Sequence, residues 1–153
     1  MPNSNSSFGF DVPEDSPGFL LWQTTMTWQR AIKKALDPFE ITHPQFVILA
    51  ILLWFEESEV IPNQVLIINQ SKLDKMTVSK SIKSLAQKDL VTRDEHPEDT
   101  RAKSVELTKS GIKLAKKLVG IVEGVDAKYF GILNQQDQKN LIQALNKLNQ
   151  EPL

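Results

Sequence analysis

The chain has 153 residues, 41% of them apolar and 24% charged, with a formal net charge of −1. That supports one sizeable core, excludes a chain disordered throughout and requires no second domain. The absence of cysteine excludes disulfides and thiol-based oxidation sensing.

From the N-terminus, residues 1–17, with Asn3-Ser4-Asn5-Ser6-Ser7 and Pro13-Glu14-Asp15-Ser16-Pro17, are expected to form a flexible arm. Its Phe8 and Phe10 could pack on a partner or stay in solvent. Residues 18–153 form a single domain. A helix is expected over 19–36, carrying Leu21, Trp22, Met26, Ala31 and Ile32, then a second apolar helix over 43–55 after Asp37-Pro38. The most apolar stretch, 46–55, is far too short to span a bilayer, and no basic-led apolar leader opens the chain. A cytoplasmic protein without membrane attachment is therefore expected.

Residues 62–70 suit a short helix with Pro62 at its entry, where a missing N–H costs nothing. Residues 71–73 turn the chain into a second helix over 73–88. There the 3.6-residue period places Val78, Ile82 and Leu85 on one stripe and Met76, Lys80, Lys83 and Gln87 opposite. Asp74 is the expected N-cap, its carboxylate facing the positive end of the helix dipole. Helix, short turn and basic second helix is the spacing of a helix-turn-helix. Lys75, Met76, Thr77, Ser79, Lys80 and Lys83 offer the ammonium, hydroxyl and methyl groups that phosphates and major-groove base edges accept. A solvated amphipathic helix would carry three lysines equally well.

Residues 90–94 and 103–107 each alternate apolar and polar, as strands of a half-buried hairpin do. The polar loop between them makes a wing. Its Arg101 suits a minor groove, with Asp99 two residues earlier to hold the guanidinium extended. Taken alone, the two are also an ordinary surface ion pair. A long amphipathic helix is expected over 109–133, capped by Thr108 and carrying Leu114, Leu118, Ile121, Val122 and Val125. A last helix over 136–149 carries Leu141, Ile142, Leu145 and Leu148. These faces exceed what a small winged domain can cover and suggest a partner, unless they close an intramolecular bundle. No internal repeat is present.

Charge is unevenly placed. Residues 1–70 hold three basic against eight acidic side chains, net −5, whereas residues 72–93 hold six basic against two acidic, net +4. Basic charge concentrates on the expected reading unit, as an electrostatic footprint on nucleic acid should. Lys72, Arg93, His96 and Lys103 complete the expected DNA-contacting set, although His96 is equally well a solvated loop residue.

The run Thr77-Val78-Ser79-Lys80, the exit Lys88-Asp89-Leu90-Val91-Thr92-Arg93 and the wing from Pro97 to Gly111 resemble the MarR family of bacterial winged-helix transcription regulators. Asp99, Arg101, Leu107, Thr108 and Gly111 match its wing signature; Asp89 stands where the family has glycine, and aspartate tolerates left-handed backbone better than most residues. The resemblance spans about residues 18–148. It implies a mainly α fold with a small β-wing: a winged helix-turn-helix lobe over 38–108 flanked by dimerisation helices over 18–37 and 109–153. By position, Arg101 would read the minor groove, Asp99 would orient it, and Thr77, Ser79, Lys80 and Lys83 would face the major groove. A two-fold dimer would read a pseudo-palindromic operator on double-stranded DNA, its half-sites about 34 Å apart. The resemblance also implies a crevice for a small aromatic or phenolic effector between dimerisation helices and winged lobe. Trp22, Met26, Trp28, Arg30, His43, Phe46 and Trp54 would line it, or serve as plain core.

An enzyme is not expected. Neither His43 nor His96 has a second candidate nearby in sequence, and a metal site would have to be assembled from scattered carboxylates. No glycine-rich phosphate cradle or nucleophile elbow occurs, so no cofactor is expected. Two function classes remain: a homodimeric DNA-binding regulator, commonly a repressor, and a winged-helix protein–protein interaction module without DNA binding.

Overall fold

Each α-helix begins on a residue whose side chain accepts the backbone N–H three residues on. This interaction removes one orphan donor per helix and sets where the helix starts. In the computed structural model, which describes residues 5–94 and 104–150, the caps are Ser16, Thr42, Asn63, Asp74, Thr108 and Asn134. They open α1 (Pro17–Leu36), α2 (His43–Glu57), α3 (Gln64–Ser71), α4 (Lys75–Gln87), α5 (Lys109–Phe130) and α6 (Gln135–Gln150). Thr42 and Gln45 make a reciprocal capping box, the Gln45 side chain accepting the Thr42 N–H at 3.0 Å.

The fold is mainly α with a small antiparallel hairpin. β1 (Val91–Asp94) and β2 (Ser104–Leu107) pair in the register Val91 opposite Leu107 and Arg93 opposite Val105. The Val105 N–H extends the pairing to the Pro62 carbonyl at 3.0 Å. Pro62 is therefore buried against the sheet and does not enter the helix as the sequence suggests; Asn63 caps α3 instead. The start of α1 also moves, to Pro17 within the expected arm, and so does the end of α5, which stops at Phe130, with Asn134 capping a new helix four residues later. Residues 13–15, expected within the arm, form a 3-10 turn packed on α1.

α2 is the hub of the core. Its Phe46, Ile48, Leu49, Leu52 and Leu53 are buried, and it packs against α1, α3, α4, α5 and β2. Each such side chain contributes about 1.5–3 kcal/mol by leaving water. Ile67 from α3, Val78, Ile82 and Leu85 from α4, Val105 from β2 and Leu118 from α5 close the same core, all at 0% exposure. Among the described residues no single helix is long and apolar enough to cross a membrane. α6 buries none of its residues.

Besides its packing on α2, α5 is tied to the hairpin at one joint. Asp89 adopts the left-handed conformation, φ 58°, where the family resemblance expects glycine. This conformation aims its carbonyl at Thr108, whose hydroxyl donates to it at 2.6 Å while the Thr108 N–H donates to Leu90 O at 3.0 Å. Gly111, one turn into α5, lies against the Leu90 carbonyl. The Leu-Thr-x-x-Gly signature is thus a packing device that sets the angle between the hairpin and α5.

Candidate nucleic-acid interface

α3 ends with Lys72 in the left-handed conformation, φ 60°. This reversal lets Asp74 start α4 two residues later. The amphipathic pattern of α4 is realised: Val78, Ile82 and Leu85 are fully buried, while Lys75, Met76, Lys80, Lys83 and Gln87 are exposed. Met76 presents its side chain at 68% exposure. The exposed face carries no acid from Lys75 to Gln87.

Thr77 and Ser79 are half-buried and flank this face on either side. Asp74 takes both hydrogens of Thr77, the backbone N–H at 2.7 Å and the hydroxyl at 2.8 Å. The Ser79 hydroxyl accepts from Gln64 Nε2 of α3 at 2.8 Å. Gln64 was missed from the sequence because the contact crosses the turn between two helices. Its only local signal is that it directly follows an Asn cap. A second polar tie, Gln45 Nε2 to Ser84 Oγ at 3.1 Å, binds the back of α4 to α2. Lys88, part of the basic segment, donates to the Glu40 carbonyl at 2.5 Å and anchors the end of α4. Arg93 is exposed on β1. His96, Asp99, Arg101 and Lys103 lie outside the described residues.

The seven residues expected around an effector crevice are brought together only in part. Trp28 and His43 meet edge to face, ring centroids 5.1 Å apart, and Trp28 Nε1 donates to Asp126 Oδ1 of α5 at 2.8 Å. Met26 is half-buried and Arg30 exposed on α1. Phe46 is core, Trp22 is 62% exposed, and Trp54 is 72% exposed, about 16 Å along α2 from His43 at 1.5 Å per residue. Trp54 lines a separate cleft with Ala50, Ile51, Phe55 and Gln70. The resemblance does not separate one end of this buried helix from the other as pocket lining; Trp54 and His43 lie at opposite ends of α2. Asp126, 98 residues from Trp28, carries no sequence signal for this contact. A hollow of about 600 Å³ opens beside His43, lined also by Gln29, Lys33, Thr42 and Pro44.

Burial lowers the His43 pKa below its ordinary 6.5, with the Asp126 carboxylate opposing. A depressed histidine pKa means the unfolded chain binds more protons between the folded value and 6.5. Stability is therefore complete above pH 6.5 and declines as pH falls through that window. Thermal melts from pH 7.5 to 5.5 are expected to show this decline in the native chain and less of it in His43→Gln; equal declines would mean other groups dominate.

The chain matches the family of ArnR1-like winged-helix domains over residues 37–125. It is 33% identical to the "Uncharacterized HTH-type transcriptional regulator YdcH" of Bacillus subtilis strain 168, across 91% of this chain and 93% of that protein. Its fold is similar to that of Bordetella bronchiseptica BpsR, whose DNA binding is regulated by 6-hydroxynicotinic acid. The TM-score is 0.81 at 22% identity, over 96% of this chain and 100% of that one. It is also similar to Staphylococcus aureus MepR in complex with DNA, TM-score 0.76 at 24% identity, over 87% and 96% of the two chains.

Proposed function

The chain belongs to the MarR family of winged-helix transcriptional regulators, and we propose that it is a sequence-specific repressor acting in the cytoplasm as a homodimer on a pseudo-palindromic operator. The observation that carries this reading is α4. One face is wholly buried and the other presents lysines, a methionine and a glutamine with no acid among them. A protein-binding surface sheds lysine from its centre, so this face fits DNA better than an interaction module without it. Lys72, Lys75, Lys80, Lys83 and Arg93 then neutralise phosphates, and Met76 meets a thymine methyl. By the family resemblance, Arg101 would supply the minor-groove contact, with Asp99 as its orienter and His96 and Lys103 as further contacts.

A small aromatic or phenolic effector in the crevice at Trp28 and His43 would act through Asp126 on α5, which is joined to the hairpin at Thr108 and Gly111. A neutral imidazole and an indole edge suit such a ring, and an aromatic acid regulates the similar BpsR.

A gel-shift titration against DNA from upstream of its own gene, with random duplex as competitor and two salt concentrations, tests the reading. Binding that resists competitor and weakens with salt is expected. Lys83→Ala should lower affinity almost equally for all sequences and reduce the salt slope by about 0.9. Arg101→Ala should weaken operator binding about 10-fold. No binding at low salt would overturn the proposal in favour of a protein-interaction module.

A further inference from the structure

The two hydroxyls that flank the exposed face of α4 are held in opposite hydrogen-bonding senses. Thr77 Oγ1 gives its proton to Asp74 Oδ2 at 2.8 Å, and the Asp74 carboxylate also holds the Thr77 N–H at 2.7 Å. A hydroxyl has one proton and two lone pairs. With the proton committed, Thr77 faces outward as an acceptor. Asp74 cannot reverse the bond: the Thr77 backbone N–H and hydroxyl hold its carboxyl below the ordinary 3.8, so it has no proton to give at neutral pH.

Ser79 is the converse. Its Oγ accepts from Gln64 Nε2 at 2.8 Å, and no acceptor among the described residues takes its proton. Ser79 therefore keeps its proton and one lone pair for an outward partner, so unlike Thr77 it can donate. At 100° per residue the two side chains are 200° apart, one on each side of the stripe formed by Met76, Lys80, Lys83 and Gln87. They would meet different base steps.

We propose that Asp74 and Gln64 are positioning residues that set the base preference of this helix, making Thr77 a reader of amino bases and Ser79 a reader of keto bases or purine N7. The major groove makes such a distinction meaningful. Adenine N6 and cytosine N4 offer hydrogens there, whereas guanine O6, thymine O4 and purine N7 only accept. An acceptor-only threonine favours adenine or cytosine on the strand it touches and disfavours the keto oxygens of guanine and thymine. A serine that can donate takes the keto oxygens and purine N7 that Thr77 rejects. This inference rests on the reading of α4 as the DNA-contacting helix.

The test is selection from a library of randomised duplexes, with the enriched sites sequenced for the native chain and for variants that keep the fold. Asp74→Asn is the decisive variant. Asparagine caps a helix as well as aspartate does, and its Oδ1 can still take the Thr77 N–H. Its Nδ2, however, donates to Thr77 Oγ1, turning the hydroxyl proton outward. One position in each half-site is expected to switch from amino to keto base, with about 5-fold discrimination in each direction. Thr77→Val, which keeps the shape and loses the oxygen, is expected to flatten that position alone. Gln64→Glu offers Ser79 only acceptors, draws its proton inward and is expected to switch the second position from keto to amino.

An unchanged preference in both Asp74→Asn and Gln64→Glu, with thermal melts near native, would overturn the polarity assignment while leaving DNA reading by α4 intact. A native chain that binds duplexes but enriches no sequence, or whose enriched site ignores Lys80→Ala and Lys83→Ala alike, would overturn the reading of α4 itself and this proposal with it.

Discussion

Replacing Gly111 with alanine is expected to lower stability by about 3 kcal/mol, lowering the thermal midpoint by about 10 °C for a chain of this size. A β-carbon there would sit 2.0 Å from the Leu90 carbonyl oxygen and 3.3 Å from Leu107 Cδ2. The oxygen is backbone and already accepts from the Thr108 N–H, so it has no rotamer through which to yield. α5 would have to lift from the hairpin, straining the Thr108 bonds to Asp89 and Leu90 together. Gly120→Ala on the same helix is the internal control. Nothing lies within 4 Å of its added carbon, and relief of glycine's backbone entropy should raise stability by up to about 1 kcal/mol. Urea or thermal unfolding of the two variants reads opposite signs from one chemical change. A Gly111→Ala chain as stable as the native one would show that the joint does not need close approach at Gly111. A loss at Gly120 would place another helix close to that open face.

Charging the apolar face of α6 is expected to separate the homodimer. Ile142 is 59% and Leu148 67% exposed, Ile132 just before the helix 89%, and α1 leaves Leu21 53% and Trp22 62% exposed. An isolated 16-residue helix is marginal in water even with good helix formers, and no residue of α6 is fully buried by its own chain. In the proposed homodimer a second copy of the chain would supply the missing cover. Between α5 and α6 an apolar hollow of about 420 Å³, lined by Phe130, Leu141, Ile142 and Leu145, is available to it. The double variant Ile142→Glu with Leu148→Glu should run as a monomer in light scattering at micromolar concentration. Losing the second half-site contact should weaken operator binding on the order of 100-fold. Because both residues are mostly exposed, the winged lobe should still show its native near-ultraviolet circular dichroism. A variant that stays dimeric would place the interface elsewhere.

The sequence carried the local parts of this protein well. Asp74 and Thr108 were legible as caps because capping depends on a side chain and an N–H three residues away. The buried stripe of α4, the two strands and the left-handed Asp89 were legible for the same reason: periodicity and backbone preference act over a few residues. The start of α3 was misplaced because Pro62 and Asn63 both signal a helix entry. The choice between them was made by β2, some forty residues on, which takes the Pro62 carbonyl for its own pairing.

What lies between elements was decided by the tertiary structure. Trp28, His43 and Asp126 come from three helices, and only packing around α2 brings indole, imidazole and carboxylate together; nothing in the spacing of aromatics separates them from Trp22 or Trp54. Gln64 became a partner of Ser79 only when α3 crossed α4. The sequence by itself determined which segments form helices and which face each one hides. The tertiary structure alone decided which polar side chains meet, because a hydrogen bond between elements depends on ångström-scale placement that no periodic pattern encodes.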